Sequence, residues 1–525
     1  MKRLMLGSVA LVATVAVGCS STSYTPRGLT DVSIPVKDTN PKPRAAATSN
    51  REQPPASGPA REFHFPKTAW AELDTGLKVA TIQSRALPIV QIRVVVLGGK
   101  SADGERPGLS AMTGALLKDG GAAGMSSRDV LTRIESLGAN LSIETGFDET
   151  VLGLAVTKDH LPEAMGLLAG LVQSPQLNQA EFDKLKKREG NRVADSARTS
   201  GRWAASMILW RDLFTLPADR HPYASFDATP ADIQNITLAD CRAFHKKHYV
   251  PKNTFVVVAG DTTPAAAQQA VEKAFGGYKG GEAPVLSFTD PNPPESLRIT
   301  LVDRPKSSQS DVFVATLGPA RVDAVWPRMA VTNQVLGGGP SGRLFLDVRE
   351  KQSLAYTSRS SLVEVAKGPA PLVAYAGTQT AKTGLALRAL LEHMTRLGTT
   401  VPSNVEVETA TRYLSDVFAI KIETIGAVAD ELVHLKTLGL PDDHHDSYRK
   451  ELLAVTPKAA ADIAAEHVRE GHAVVVVAGD AAVIGPMLSH FGDVKVVDPT
   501  KGFERVRTIS FNPQAALEAP RAAGQ

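Results

Sequence analysis

Cysteine is almost missing from this chain: two residues in 525, Cys19 and Cys241. A disulfide framework is therefore excluded, and stability has to come from hydrophobic cores. Aromatic residues are also few, at 5%, too sparse for a platform on which nucleic-acid bases would stack. Charge of one sign is lacking as well. The net value is +3 and no basic block stands out, so nothing points to a nucleic-acid partner. Beyond the first residues, no apolar run approaches the ~20 residues that a membrane-spanning helix requires. What remains is ordinary globular composition, 43% hydrophobic and 22% charged, in a length that suits roughly two to four domains.

The chain begins MKRLMLGSVALVATVAVGC. Lys2 and Arg3 precede a short apolar run, and small residues precede Cys19, the pattern of a secretory signal. It resembles a bacterial lipoprotein signal, in which the cysteine is lipidated and becomes the mature N-terminus. Ser20 after the cysteine, rather than Asp, implies sorting to the outer membrane. The expectation is a signal peptide over residues 1–19, lipidation at Cys19 and a periplasmic, lipid-anchored body. Residues 20–62 are rich in Ser, Thr, Pro and Ala. Such a segment cannot bury enough surface to fold and reads as a disordered tether. Cys241 is then alone, in a helical pattern, and is expected to be a buried, inert thiol.

Order is expected from residue 63. Residues 77–84 and 89–97 read as strands rich in β-branched side chains. Residues 109–118 and 126–137 read as helices, the second capped by Ser127. Residues 141–144 and 150–157 suit a hairpin pair, and 161–173, 178–197 and 237–248 suit helices. Residues 254–259 read as a strand ending in Gly260 and Asp261. Then the pattern repeats. NTFVVVAGD ends at Asp261 and HAVVVVAGD at Asp480, and at nearly the same offset Leu97 of VVVLGGK meets Leu317 of FVATLGP. Two landmarks in register indicate a duplicated domain. The copies occupy 63–280 and 297–500, joined by a Pro/Gly-rich linker at 281–296 and followed by a tail at 501–525, disordered after Phe511. Hairpin-like pairs rather than strict βαβ alternation indicate an α+β fold with mostly antiparallel sheets.

The most informative stretch is LGGGPSGRLFLDVREKQSLAY, residues 336–356. Gly337, Gly338 and Gly339 offer positive φ and close backbone approach. Leu344, Phe345 and Val348 share an apolar helical face, while Arg343 and Arg349 project from other parts of the segment and Tyr356 follows Arg349 by seven residues. A phosphate loop is excluded, because the GK[ST] ending is missing.

A duplicated α+β domain carrying this stretch in its second copy resembles the M16 peptidases, the family of pitrilysin, insulysin and the mitochondrial processing peptidase. The family's second-half pattern runs LGGG, SRLF, RE and GLAY. Here Gly337, Gly338, Gly339, Arg343, Leu344, Phe345, Arg349, Glu350, Leu354, Ala355 and Tyr356 match, and Ser353 stands where the family usually has Gly. Active members carry HxxEH on the first helix of the N-terminal copy: two His bind zinc, Glu acts as general base, and a downstream Glu completes the metal site. In this chain the place is taken by Ala111, Met112, Thr113, Gly114 and Ala115, and Glu189 is the one carboxylate near the third-ligand position.

The resemblance therefore implies a chain with no catalytic residues, metal site or cofactor of its own. It implies a zinc-less subunit of a heterodimeric M16 metallopeptidase. Arg349 and Tyr356 would bind peptide in trans to a zinc-bearing M16 partner. Two other readings stay open: a catalytically silent M16-fold scaffold, and a stand-alone peptide-binding lipoprotein. Among the remaining candidate ligands, His245 and His248 in FHKKH read as a solvated helix face, DDHHD at 442–446 as an exposed loop, and His160, His221, His434 and His472 as isolated.

Overall fold

A computed structural model describes residues 64–216 and 220–519. The signal, Cys19 and the tether lie outside these residues. Among the described residues no helix is long and apolar enough to cross a membrane.

Two sheets organise the chain. The first contains β1 (Ala69–Glu72), β2 (Lys78–Gln83), β3 (Ile89–Val96), β4 (Ser142–Thr145), β5 (Thr150–Thr157) and β6 (Thr254–Gly260), in the order β1-β2-β6-β3-β5-β4. The second contains β7 (Arg298–Asp303), β8 (Gln309–Ala320), β9 (Ala355–Leu362), β10 (Pro369–Gln379), β11 (Val474–Gly479), β12 (Val494–Asp498) and β13 (Glu504–Ile509), in the order β13-β12-β7-β11-β8-β10-β9. The duplication is visible in this order: β2-β6-β3-β5-β4 corresponds to β7-β11-β8-β10-β9. It is visible in register too. Val256 of β6 pairs with Val94 of β3, and Val475 of β11 with Val314 of β8. Most neighbours are antiparallel, as expected, but β2–β6, β7–β11 and β7–β12 are parallel.

Both central strands are buried along their whole length. A strand covered on one face alternates apolar and polar residues, whereas one covered on both reads as a continuous apolar run. Val256 and Val258 of β6 face a core built with first-half helices, including Met112, Leu116 and Leu168. Phe255, Val257 and Ala259 face the other way. Their cover comes from the second half: Phe418 of the helix Asn404–Lys421, and Val428, Ala429, Leu432 and Val433 of the helix Ile425–Thr437. The exchange is reciprocal. Val474, Val476 and Ala478 of β11 are covered by Ala204, Ala205, Ile208, Leu209 and Trp210 of the first-half helix Gly201–Leu213. Each Val, Leu, Ile or Phe among these contributes about 1.5–3 kcal/mol by burial, so each half depends on the other for one face of its sheet.

Polar contacts fix the same junction. Asp148 accepts hydrogen bonds from the Tyr223 hydroxyl (2.6 Å), the Ser101 hydroxyl (3.1 Å) and the second-half Ala366 N–H (3.0 Å). From the linker, Phe288 packs edge-on against the His221 ring at 4.5 Å.

Two local expectations are corrected. The cap of the helix Ser127–Ser136 is Ser126, whose hydroxyl accepts from the Asp129 N–H in a capping box; the Ser127 hydroxyl instead donates to the Lys118 carbonyl. The sheet also continues past residue 500, because β13 pairs with β12. Residues beyond Phe511 are held as well. The Phe511 N–H donates to Asp493, the Asn512 N–H to the Ser489 carbonyl and the Ala519 N–H to the Ala381 carbonyl.

Candidate functional site

The helix Leu109–Gly120 occupies the zinc-motif position. Asp103 caps it by accepting from the Gly108 and Ser110 N–H groups, both at 2.7 Å. Burial pushes this carboxyl up to about 6 despite those bonds. Ala111 and Ala115 bring no donor atom, and the Thr113 hydroxyl is spent on the Leu109 carbonyl at 2.8 Å. Gly114, where the motif has its Glu, faces β4 so closely that a Cβ would stand 2.9 Å from the Thr145 hydroxyl oxygen. The space a catalytic carboxylate would need is closed by the hairpin.

The downstream helix Gln179–Thr199 packs on this one. Its Glu189 is engaged by Arg192 at 2.7 Å and approached by Arg188 at 3.5 Å. Arg192 also spans both oxygens of Asp227, at 3.1 and 3.2 Å, and Asp227 accepts from the Trp203 indole at 2.9 Å. Burial opposes ionisation of Asp227, but these partners prevail and hold its carboxyl below the usual range. Zinc needs three convergent uncharged-nitrogen, thiolate or carboxylate ligands. Here one carboxylate is tied to a guanidinium and no His is near in sequence, so this donor set does not fit the metal. Among the described residues no group of three or more His, Cys, Asp or Glu side chains is placed to hold one.

The stretch at 336–356 is folded by its glycines, though not through positive φ. Gly337 sits at φ −178° in the wide turn Gln334–Gly338 that ends the helix Trp326–Asn333. A Cβ there would stand 2.8 Å from the Ser360 nitrogen and 3.1 Å from the Arg359 carbonyl carbon. The requirement is close approach to β9. A second wide helix, Leu344–Lys351, follows; such turns recur at functional sites. Leu344 and Val348 are fully buried beneath it. Arg343 forms a two-bonded ion pair with Glu406, at 2.7 and 3.3 Å, and is structural.

Arg349 and Tyr356 behave otherwise. Tyr356 is 86% exposed at the start of β9. The Arg349 guanidinium lies over the Tyr356 ring at 5.5 Å and the Phe345 ring at 4.7 Å, with Glu350 3.3 Å away. The two residues seven apart are thus brought together by the turn that Ser353 makes. They line an open cleft of about 580 Å³ with Asp311, Tyr375, Gln379 and Lys382. The Tyr375 hydroxyl donates to Asp311 at 2.8 Å, and Arg202 from the first half stacks on its ring at 4.4 Å, while the residues that line the cleft belong to the second half. Sequence reasoning missed Asp311, Tyr375 and Lys382, which are remote from the motif.

Ser353 takes φ +50°, a left-handed conformation that costs a residue with a Cβ about 1–2 kcal/mol. The glycine usual at this place fits the backbone better. Ser353→Gly should therefore raise stability by about 1 kcal/mol, read as a higher urea midpoint at unchanged slope.

The histidines need correction. His248 is not solvated: it is buried and stacked on Phe244 at 4.3 Å. His245 bonds the Val172 carbonyl at 2.8 Å. His445 of DDHHD is buried against Glu431 at 2.7 Å, and His444 meets Arg321 at 3.0 Å. His434 and Arg321 both bind Glu364, His434 at 2.6 Å. Cys241 is buried, and burial pushes its thiol up to about 11, the inert state expected.

The Glu364 network sets a pH dependence. Burial works against ionisation of Glu364, yet His434 and Arg321 hold it down to about 2 from 4.5. Its contribution is present above 4.5 and lost as pH falls toward 2. His434 is raised above 6.5, because Glu364 and Glu431 outweigh burial. Its contribution is present below 6.5 and lost as pH climbs through the raised value. Glu364→Gln should therefore be most destabilising between pH 4.5 and 6.5, and the gap to the parent should narrow on either side in urea melts.

Residues 78–207 match the family described as insulinase, peptidase family M16, and residues 235–414 the peptidase M16 inactive domain. An uncharacterized zinc protease of Streptomyces coelicolor is 26% identical over 54% of this chain and 62% of its own length, so the chain spans less than two thirds of that relative. The non-peptidase homolog YmxG of Helicobacter pylori is 23% identical over 73% of this chain and 88% of its own. The crystal structure of a peptidase M16 inactive domain from Pseudomonas fluorescens superposes with a TM-score of 0.72 at 24% identity, covering 79% of this chain and 98% of that one.

Proposed function

The chain belongs to the M16 peptidase family, and on that premise we propose that it is a non-catalytic, substrate-binding subunit of a heterodimeric M16 zinc metallopeptidase. The observation that carries this reading is a contrast between two places in one chain. The zinc-motif helix offers Ala111, Gly114 and Ala115 and is packed shut, while Arg349 and Tyr356 stand exposed together at an open cleft. Arg349 offers a planar fork of donors to a peptide carbonyl or terminal carboxylate. Tyr356 offers one hydroxyl, able to donate to oxygen as charge develops on it. Hydrolysis itself belongs to a zinc-bearing M16 partner; this chain holds and orients the peptide. On the resemblance of residues 1–19 to a lipoprotein signal, this reading has the body in the periplasm on a lipid at Cys19, and mass spectrometry of the mature N-terminus tests it.

The decisive experiment uses the purified full chain with and without a zinc-bearing M16 protein of the same organism. Alone, the chain should bind no stoichiometric zinc and cleave no peptide; together the two should cleave. Chelator-sensitive cleavage by the chain alone would sink the proposal. Stable assembly whose activity is indifferent to the cleft would favour a silent scaffold.

A further inference from the structure

The Arg349 cleft runs on past Tyr356 to Thr357, Gly377 and Tyr375. The register of β9 slips by one residue at Tyr356, since Ala355 pairs with Thr378 and Thr357 with Gly377. Such a bulge re-aims a side chain, and Tyr356 is turned out to solvent. Two residues further on, Arg359 lies opposite Tyr375. Directly opposed residues of an antiparallel pair share a face, with Cβ atoms about 4.5–5.5 Å apart. Arg359 therefore stands on the cleft side of the sheet, beside Tyr375 and about 7 Å along the strand from Thr357.

Arg202 reaches the same ring from the first half, its guanidinium 4.4 Å from the Tyr375 centroid. One tyrosine thus lies between two guanidiniums at the margin of the cleft. Arg202 and Arg359 are both exposed, and among the described residues neither has an ion pair. The carboxylates of the cleft are already engaged. Asp311 accepts from the Tyr375 hydroxyl at 2.8 Å, and Glu350 is paired with Arg349 at 3.3 Å. The residues around Arg359 on β9 and β10, Thr357, Ser361, Val373 and Gly377, carry no charge. Two guanidiniums brought together without a counter-charge create a local positive potential. Each offers a planar fork of donors that takes a carboxylate through paired N–H···O bonds. A peptide gripped at Arg349 and Tyr356 and lying along the cleft passes both.

We propose that the cleft selects acidic peptides, Arg202 and Arg359 taking an Asp or Glu side chain about two residues from the carbonyl held by Arg349 and Tyr356. This rests on the cleft being the peptide site proposed above and names what that site prefers.

Fluorescence anisotropy with the full chain alone tests the preference apart from cleavage. The probe is a short uncharged peptide of Ser, Thr and Ala, capped at both ends, along which one Glu or one Lys is moved. Glu at one position should bind roughly tenfold more tightly than the uncharged peptide. Lys at that position should bring no gain, and added salt should erase the gain from Glu. Arg202→Gln and Arg359→Gln should each remove most of it, and Arg202→Glu together with Arg359→Glu should transfer it to the Lys peptide. Both side chains are exposed, so unchanged melting would show the variants folded. Arg349→Ala should instead weaken every peptide alike. If Glu brings no gain, or the gain survives the Arg202 and Arg359 variants, while Arg349→Ala still weakens binding, acidic selection is overturned and the peptide site stands. If no peptide binds, the peptide site falls and the selection with it.

Discussion

Leu432→Asp should abolish folding of the first half, although Leu432 belongs to the second. The side chain is fully buried in the cluster that joins Ala80, Ile82, Phe255 and Val257 to the helix Ile425–Thr437. Removing a buried Leu costs about 2–5 kcal/mol, and burying an unpaired carboxylate costs several more. Against a total stability of about 5–15 kcal/mol, that sum removes most or all of the margin. Leu432→Ala is the milder arm, at about 3 kcal/mol. In that variant hydrogen exchange should accelerate first in β6, across the junction, rather than only in the mutated helix. By the same reasoning residues 64–280 made alone should be insoluble or molten. A Leu432→Asp protein with native melting, or a soluble and cooperatively folding first half, would show that each half closes its own sheet.

That exchange was not legible in the sequence, and the reason is physical. The β-branched runs at 254–259 and 474–479 announce strands buried on both faces, and the repeat announces two such sheets. Yet an apolar helix does not say which sheet it will cover, and Val428, Leu432 and Val433 would suit either. The histidines show a different limit. Cys241, Phe244 and His248 stand at i, i+3 and i+7, one helical face, and that spacing marks His248 as inward-facing despite the two lysines before it. His434, Glu364 and Arg321 had no such signal, because their meeting depends on three separate elements. The zinc-motif helix and the 336–356 stretch were legible because each is local. What the sequence could not supply was the cleft around Arg349, since Asp311, Tyr375 and Lys382 reach it from other strands and turns.

In the reconstituted pair, Arg349→Ala should lower kcat/KM by roughly 10- to 100-fold while leaving the melting temperature of this chain unchanged. The stability half of the expectation follows from exposure. Arg349 is about two-fifths exposed, with one partly exposed ion pair to Glu350, and such pairs contribute about 0–1 kcal/mol. The activity half follows from preorganisation. Phe345 beneath and Tyr356 beside the guanidinium hold it in one place, so under the proposed role little entropy would be lost on gripping a substrate carbonyl. Arg349→Lys keeps the charge and loses the planar fork, and it should recover only part of the loss. Tyr356→Phe keeps the stacking ring and removes the hydroxyl. If that hydroxyl meets charge developing on the substrate, kcat should fall more than KM rises; if the ring only positions Arg349, Tyr356→Phe should be silent and Tyr356→Ala should resemble Arg349→Ala. A pair that assembles normally and is indifferent to all four variants would remove the substrate-binding role and leave a scaffold.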